Sequence, residues 1–256
     1  MMKIFVAKRR DIIKTIVFIL LLAITVFAVI DLKPKMIPVF GTKKELPIYY
    51  VGREDRKVSI TINCAWGDSD MDSIFATLDK NNVKATFFIV GDFAEKYPNR
   101  IKQMVEKGHD VGSHSFRHGR MGSMSKEKII DDFDQNEKLL EGLIGKKPDL
   151  FRAPYGEYNN LVLEIAKEKK YHAIQWDVDS LDWKPDISME DIKSKIDKNI
   201  KAGSIILFHS DTKYTATVLD SIIVKIKEKG YDPVTVSELI YKENYVIEAD
   251  GKQMKQ

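Results

Sequence analysis

The segment His114-Ser115-Phe116-Arg117-His118 puts two imidazoles four residues apart, a spacing at which both rings can reach one divalent ion across a turn. Two surface histidines would look the same, so the neighbours must decide. His209 closes the apolar run 204–208. A carboxylate beside it, Asp179 or Asp182, would raise its basicity and fit it to hand over a proton, whereas a histidine satisfied inside the core is the plainer reading. Arg152, in Arg152-Ala153-Pro154-Tyr155-Gly156, is stiffened by the following proline and offers a fixed guanidinium to a carboxylate. Asn63 and Cys64 end another short β-branched run. Cys64 is the only cysteine, which rules out a disulfide within the chain and leaves a thiolate ligand or a small buried side chain as its two readings. His109 and His172 lack polar company and read as structural or exposed.

Short β-branched and aromatic runs alternate with longer amphipathic ones, the pattern of βα units around a mostly parallel sheet. Strands are predicted at 58–62, 85–90, 110–113, 149–152, 173–178, 204–208 and 232–235. Helices are predicted at 70–81, 92–107, 126–144, 157–169, 189–201, 217–229 and 236–242. Ser125 and Ser188 can cap helix starts, and Gly108, Gly145, Gly203 and Gly230 stand where helices should stop. The expected fold is α/β, a distorted (β/α) barrel of about seven strands. Nearly every unusual polar residue named above falls at the C-terminal end of a predicted strand, and in such a barrel those ends share one mouth.

The run 12–30 is almost wholly apolar and about as long as a membrane-spanning helix requires. Lys3, Lys8, Arg9, Arg10 and Lys14 outweigh Lys33 and Lys35 beyond it, which favours a cytoplasmic N-terminus. Val26-Phe27-Ala28 is a poor cleavage pattern and the run is long for a signal peptide, so an uncleaved anchor is expected. The predicted layout is a cytoplasmic segment 1–11, a transmembrane helix 12–30, a linker 31–56 rich in turn residues, a catalytic domain 57–243 and a polar, frayed tail 244–256. The protein would be a single-pass resident of the cell membrane with its domain outside the cytoplasm. A net charge of +3 gives no basis for nucleic-acid binding.

Taken together, residues 57–243 resemble the polysaccharide deacetylases, the NodB-homology or carbohydrate esterase family 4 group. His114-Ser115-Phe116-Arg117-His118 resembles that family's metal-binding motif, and Arg152-Ala153-Pro154-Tyr155 and Asp179-Ser180-Leu181-Asp182-Trp183 its groove walls. Leu207-Phe208-His209 matches its last motif, and Thr86-Phe87-Phe88 and Gly108-His109-Asp110 are also similar. The resemblance implies a divalent ion, zinc by preference, held by His114 and His118, and hydrolysis of N-acetyl groups on cell-wall glycan, peptidoglycan first. It also implies roles: His209 as acid, Asp182 to orient it, Trp183 and Leu207 around the acetyl group, and the Tyr155 N–H at the oxyanion. The first motif departs from the family. Where relatives carry Asp-Asp, this chain reads Asn63-Cys64, so an amide stands at the post of the general base. Cys64 would complete the metal site as a thiolate, unless Asp68 or Asp70 does so and pairs with Arg152. A relative that grips glycan without turnover is the alternative function.

Overall fold

The computed structural model describes residues 9–31 and 45–256, the first stretch with side chains at 9–10 and 13–22 only. The chain divides into two compact units at residue 43. In the first, α1 (Arg9–Asp31) is a helix of 23 residues. The expected anchor 12–30 falls on it, but the side chains at 12 and 23–30, like residues 1–8 and 32–44, lie outside the described residues. Among the described residues, no helix is long and apolar enough to cross a membrane.

The second unit opens with β1 (Tyr50–Val51), β2 (Lys57–Cys64), α2 (Met71–Lys80), β3 (Thr86–Ile89), α3 (Gly91–Lys96), α4 (Pro98–Glu106) and β4 (Asp110–Ser113). There follow α5 (Lys126–Ile144), β5 (Leu150–Phe151), α6 (Asn160–Glu168), β6 (His172–Ala173), β7 (Val178–Asp179), α7 (Met189–Asn199) and β8 (Ile205–His209). It ends with α8 (Thr215–Glu228), β9 (Asp232–Val234), α9 (Val236–Leu239), β10 (Tyr245–Ile247) and β11 (Lys252–Lys255). The predicted caps form: the Ser125 side chain accepts from Lys128 N–H, and Ser188 builds a reciprocal box with Asp191. Gly145 ends α5 in the left-handed conformation, φ 74°, that glycine adopts without strain. One predicted helix, 92–107, is two, because Pro98 has no N–H for a continuing turn and instead starts α4.

Seven parallel strands curl into a half-barrel in the order β6-β5-β4-β3-β2-β8-β7, with β9 beside the start of β2. The predicted strand 173–178 is in fact two pieces, β6 and β7, at opposite edges of this sheet. Only residues 174–177 join them, and a chain that short spans at most roughly 17 Å. The two edges must therefore lie close together, and the sheet curls without closing by hydrogen bonds. On β2, Val58, Ile60, Ile62 and Cys64 join a core with the apolar faces of α2, α4, α7 and α8. The alternate residues Ser59, Thr61 and Asn63 are buried on the inner face. That inner face holds a smaller cluster in which Phe88, Leu150, Ile174 and Ile205 meet Ile48 and Val51 of the lead-in segment.

The lead-in segment docks at Gly203, whose carbonyl accepts from Val51 N–H at 2.9 Å. A Cβ there would lie 1.7 Å from the Val51 carbonyl oxygen, so only glycine permits the approach. The expected frayed tail is ordered instead. β10 and β11 form an antiparallel hairpin, and β11 pairs in parallel with β1. Polarity misled here because the buried polar group is paired: Gln253 donates from Nε2 to Tyr241 O at 2.6 Å and accepts from Tyr241 N–H at 2.9 Å.

Candidate active site

The mouth of the half-barrel gathers the C-terminal ends of β2, β4, β5, β7 and β8. His114 follows β4, and its Nδ1 donates to the Arg152 carbonyl at 2.8 Å, which leaves Nε2 as the ring's unprotonated nitrogen in the neutral form. The ring of His118 lies 5.1 Å from that of His114, edge to face. The loop between them is wound tightly, with Ser115 at φ 65° and His118 at φ 51°, and is held from α5. The Asp132 carboxylate accepts from Phe116 N–H at 2.9 Å and from Arg117 N–H at 3.4 Å, while Asn136 Nδ2 donates to Ser113 Oγ at 2.8 Å. Burial drives the His114 imidazole well below the ordinary histidine range, with His118 adding to the push. His118 is lowered by burial and then by His209, so three imidazoles share this mouth.

His209 ends β8, and its Nδ1 faces Asp182 Oδ1 at 2.8 Å. The other carboxylate oxygen accepts from His209 N–H at 2.7 Å and from Thr215 Oγ1 at 2.6 Å. A carboxylate tied at three points fixes the ring with the proton on Nδ1 and Nε2 turned outward. Leu207, two residues back on β8, is fully covered and shares the face of His209. Asp179, the other candidate acid, spends its Oδ1 on Leu181 N–H at 2.8 Å and shapes the turn that presents Trp183.

Arg152 is fully buried, and its guanidinium lies 4.0 Å from the centroid of Phe88. It donates from Nη1 to Thr61 Oγ1 at 2.9 Å and to Asn63 Oδ1 at 3.0 Å, and from Nη2 to Gln175 O at 3.0 Å. Among the described residues no carboxylate hydrogen-bonds it: Nη1 meets an amide, Asp179 acts only through charge, and burial brings the guanidinium down to about 9. Asp68 is engaged by Arg100 at 2.8 Å, and Asp70 accepts from Asp211 N–H at 2.9 Å, so neither reaches Arg152. Cys64 lies on the helix-facing side of β2 with the apolar core, and burial pushes its thiol up to about 12. Among the described residues no group of three histidine, cysteine or acidic side chains is disposed to hold an ion. His114 and His118 thus form an incomplete donor set, since catalytic zinc takes three protein ligands.

The model of the polysaccharide deacetylase family matches residues 51–174. A peptidoglycan-N-acetylglucosamine deacetylase of Bacillus cereus is 33% identical over 208 residues, covering 77% of this chain and 97% of that protein. The chain belongs to the polysaccharide deacetylase family. The uncharacterized protein YlxY of Bacillus subtilis is 35% identical, over 76% of this chain and 60% of its own length. Among solved polysaccharide deacetylase folds, a CE4 family pseudoenzyme from Bacillus anthracis aligns with a TM-score of 0.73 at 30% identity, covering 82% of this chain and 73% of that one. The chain spans about three-fifths or less of several curated relatives. His114 bonds the Arg152 carbonyl, Asp182 pairs with His209, and Asn63 is bonded to Arg152. Tyr155 stands at φ 59° with its ring 4.7 Å from that of His118. Asp132, Asn136 and Thr215 were not singled out from the sequence. The available signal was polar residues at 132 and 136, one turn apart, beside the buried Ile129, Phe133 and Leu140 of α5.

Proposed function

We propose that the chain removes N-acetyl groups from peptidoglycan sugars at this mouth, outside the cell, with residues 12–30 as an uncleaved anchor. The observation that carries the reading is the His209–Asp182 pair. Amide hydrolysis needs a proton on the departing nitrogen, and an imidazole anchored by a fully bonded carboxylate is built to deliver one from Nε2. Leu207 and Trp183 would flank the acetyl methyl, and the Tyr155 N–H would meet the oxyanion. Relatives named as peptidoglycan N-acetylglucosamine and N-acetylmuramic acid deacetylases support this substrate class. For a divalent ion such as zinc, this chain offers His114 and His118. Asn63 cannot take a proton from water, so turnover is slower by about 10²–10⁴-fold than with a positioned carboxylate.

A second reading is favoured by Asn63, by the core position of the Cys64 thiol and by a solved relative named as a pseudoenzyme: a glycan-binding protein without turnover. One assay separates the two. Full-length protein in detergent, with excess zinc, should release acetate from N-acetylglucosamine oligomers, and His209→Ala should cut that release by about 10²-fold or more. Intact expressing cells should release as much as lysed ones. Oligomer binding with no acetate under any added divalent metal would sink the first reading in favour of the second.

A further inference from the structure

In the stretch 45–256, the exposed large aromatic side chains are Trp66, Tyr155 and Trp183, at 57%, 55% and 52%. The other exposed large apolar residues there, Val105, Met189, Val224 and Val246, are aliphatic. All three rings follow the C-terminal ends of parallel strands, β2, β5 and β7, and so surround one mouth. Exposed apolar surface gathered at a concave polar site marks binding. Tyr155 and Trp183 belong to the groove walls already considered. Trp66 stands in the segment where this chain departs from its family.

Trp66 is held in place rather than left dangling. Its ring contacts that of His118 edge to face at 5.7 Å, while Tyr155 meets the same imidazole at 4.7 Å. The next residue, Gly67, lies so close to Asp211 that a Cβ would stand 2.2 Å from its carboxylate. Asp211 in turn accepts from Ser69 Oγ at 2.6 Å and donates its N–H to Asp70 at 2.9 Å, which ties the loop after β2 to the loop after β8. The indole is thereby presented beside His118 with more than half its surface open.

We propose that Trp66 is a sugar-binding residue whose open face stacks on the C–H face of an N-acetylated pyranose in a β-linked glycan chain. A pyranose joins a flat patch of polarised C–H bonds to a rim of hydroxyls. An electron-rich indole face beside the polar imidazole of His118 matches both parts. Because this contact needs no metal and no base, it retains glycan even where Asn63 and Cys64 weaken the chemistry. The inference rests on the reading of the mouth as a glycan site.

The test is titration calorimetry of full-length protein in detergent with a β-1,4-linked N-acetylglucosamine tetramer. Trp66→Ala should raise Kd by about five- to tenfold, Trp66→Phe should stay within about twofold of the parent, and Trp66→Leu should resemble alanine despite its apolar bulk. Thermal melts matching the parent show that the variants are folded. If the parent binds and Trp66→Ala binds equally well, or leucine serves as well as phenylalanine, the assignment of Trp66 falls and the glycan reading stands. If the parent binds no tetramer, both fall.

Discussion

Arg152 pays a desolvation cost that its surroundings only partly offset. Its Nη atoms reach a hydroxyl, an amide oxygen and a carbonyl, all neutral, and Nε finds no partner among the described residues. Asp179 acts on the guanidinium without a hydrogen bond, and a buried cation bonded only to neutral groups is destabilising at neutral pH. Asn63→Asp would put a carboxylate oxygen where the amide oxygen now lies, 3.0 Å from Nη1. We expect it to stabilise the fold by about 1.5–3 kcal/mol, the worth of a hydrogen bond to a charged group, seen as a higher urea midpoint at pH 7. A midpoint unchanged or lowered would mean that the guanidinium is already satisfied. The Asn63 departure was legible from sequence because it interrupts a motif. Its consequence was not, since the pairing of Arg152 depends on an inner barrel face that no linear pattern displays. Asp132 was missed for a related reason: a helix acid reads as solvated until a loop's N–H groups are seen pointing at it.

At the scale of elements, the alternation of strand and helix was readable because parallel strands buried on both faces produce continuous apolar runs. Element limits were less so: 173–178 reads as one strand because nothing in its composition records that the chain changes edges midway. The join between β3 and β4 is also sensitive to pH. His109, just before β4, is buried between the rings of Phe75 and Phe87, and its Nδ1 accepts from Ala85 N–H at 3.3 Å. A proton on Nδ1 would oppose that N–H, and burial brings the imidazole down from 6.5 to about 4. Between those values the unfolded chain binds a proton that the folded chain refuses. Stability is therefore whole above about pH 6.5 and falls as pH drops toward about 4, by roughly 3 kcal/mol at about 1.4 kcal/mol per unit. His109→Asn keeps an acceptor without the titration, so its unfolding free energy should lose that much less than the parent's over the same window. Parallel pH profiles for the two proteins would assign the acid sensitivity elsewhere.

The second unit is tied together by segments outside the half-barrel, and this the sequence concealed most fully. Residues 244–256 look like a polar end because sheet membership depends on a partner about 200 positions away, Tyr50 with Lys252. With β11 in place, Gln253 satisfies both backbone groups of Tyr241, just past α9, while β1 carries Val51 into the inner cluster. A chain ending at Glu243 would leave the Tyr241 N–H and carbonyl without their partner and uncover β1. At about 1–3 kcal/mol for each of the two groups stranded, the loss is roughly 2–6 kcal/mol, a large share of an ordinary domain's stability. Gln253→Ala, which keeps the strand but removes the amide, should recover part of that loss and so separate the clamp from the strand pairing. Urea melts of the two variants against the parent measure both quantities. If the shortened chain unfolded at the parent's midpoint, the three-stranded sheet would be an appendage, and the closeness of Gly203 to Val51 would have to hold the lead-in segment alone.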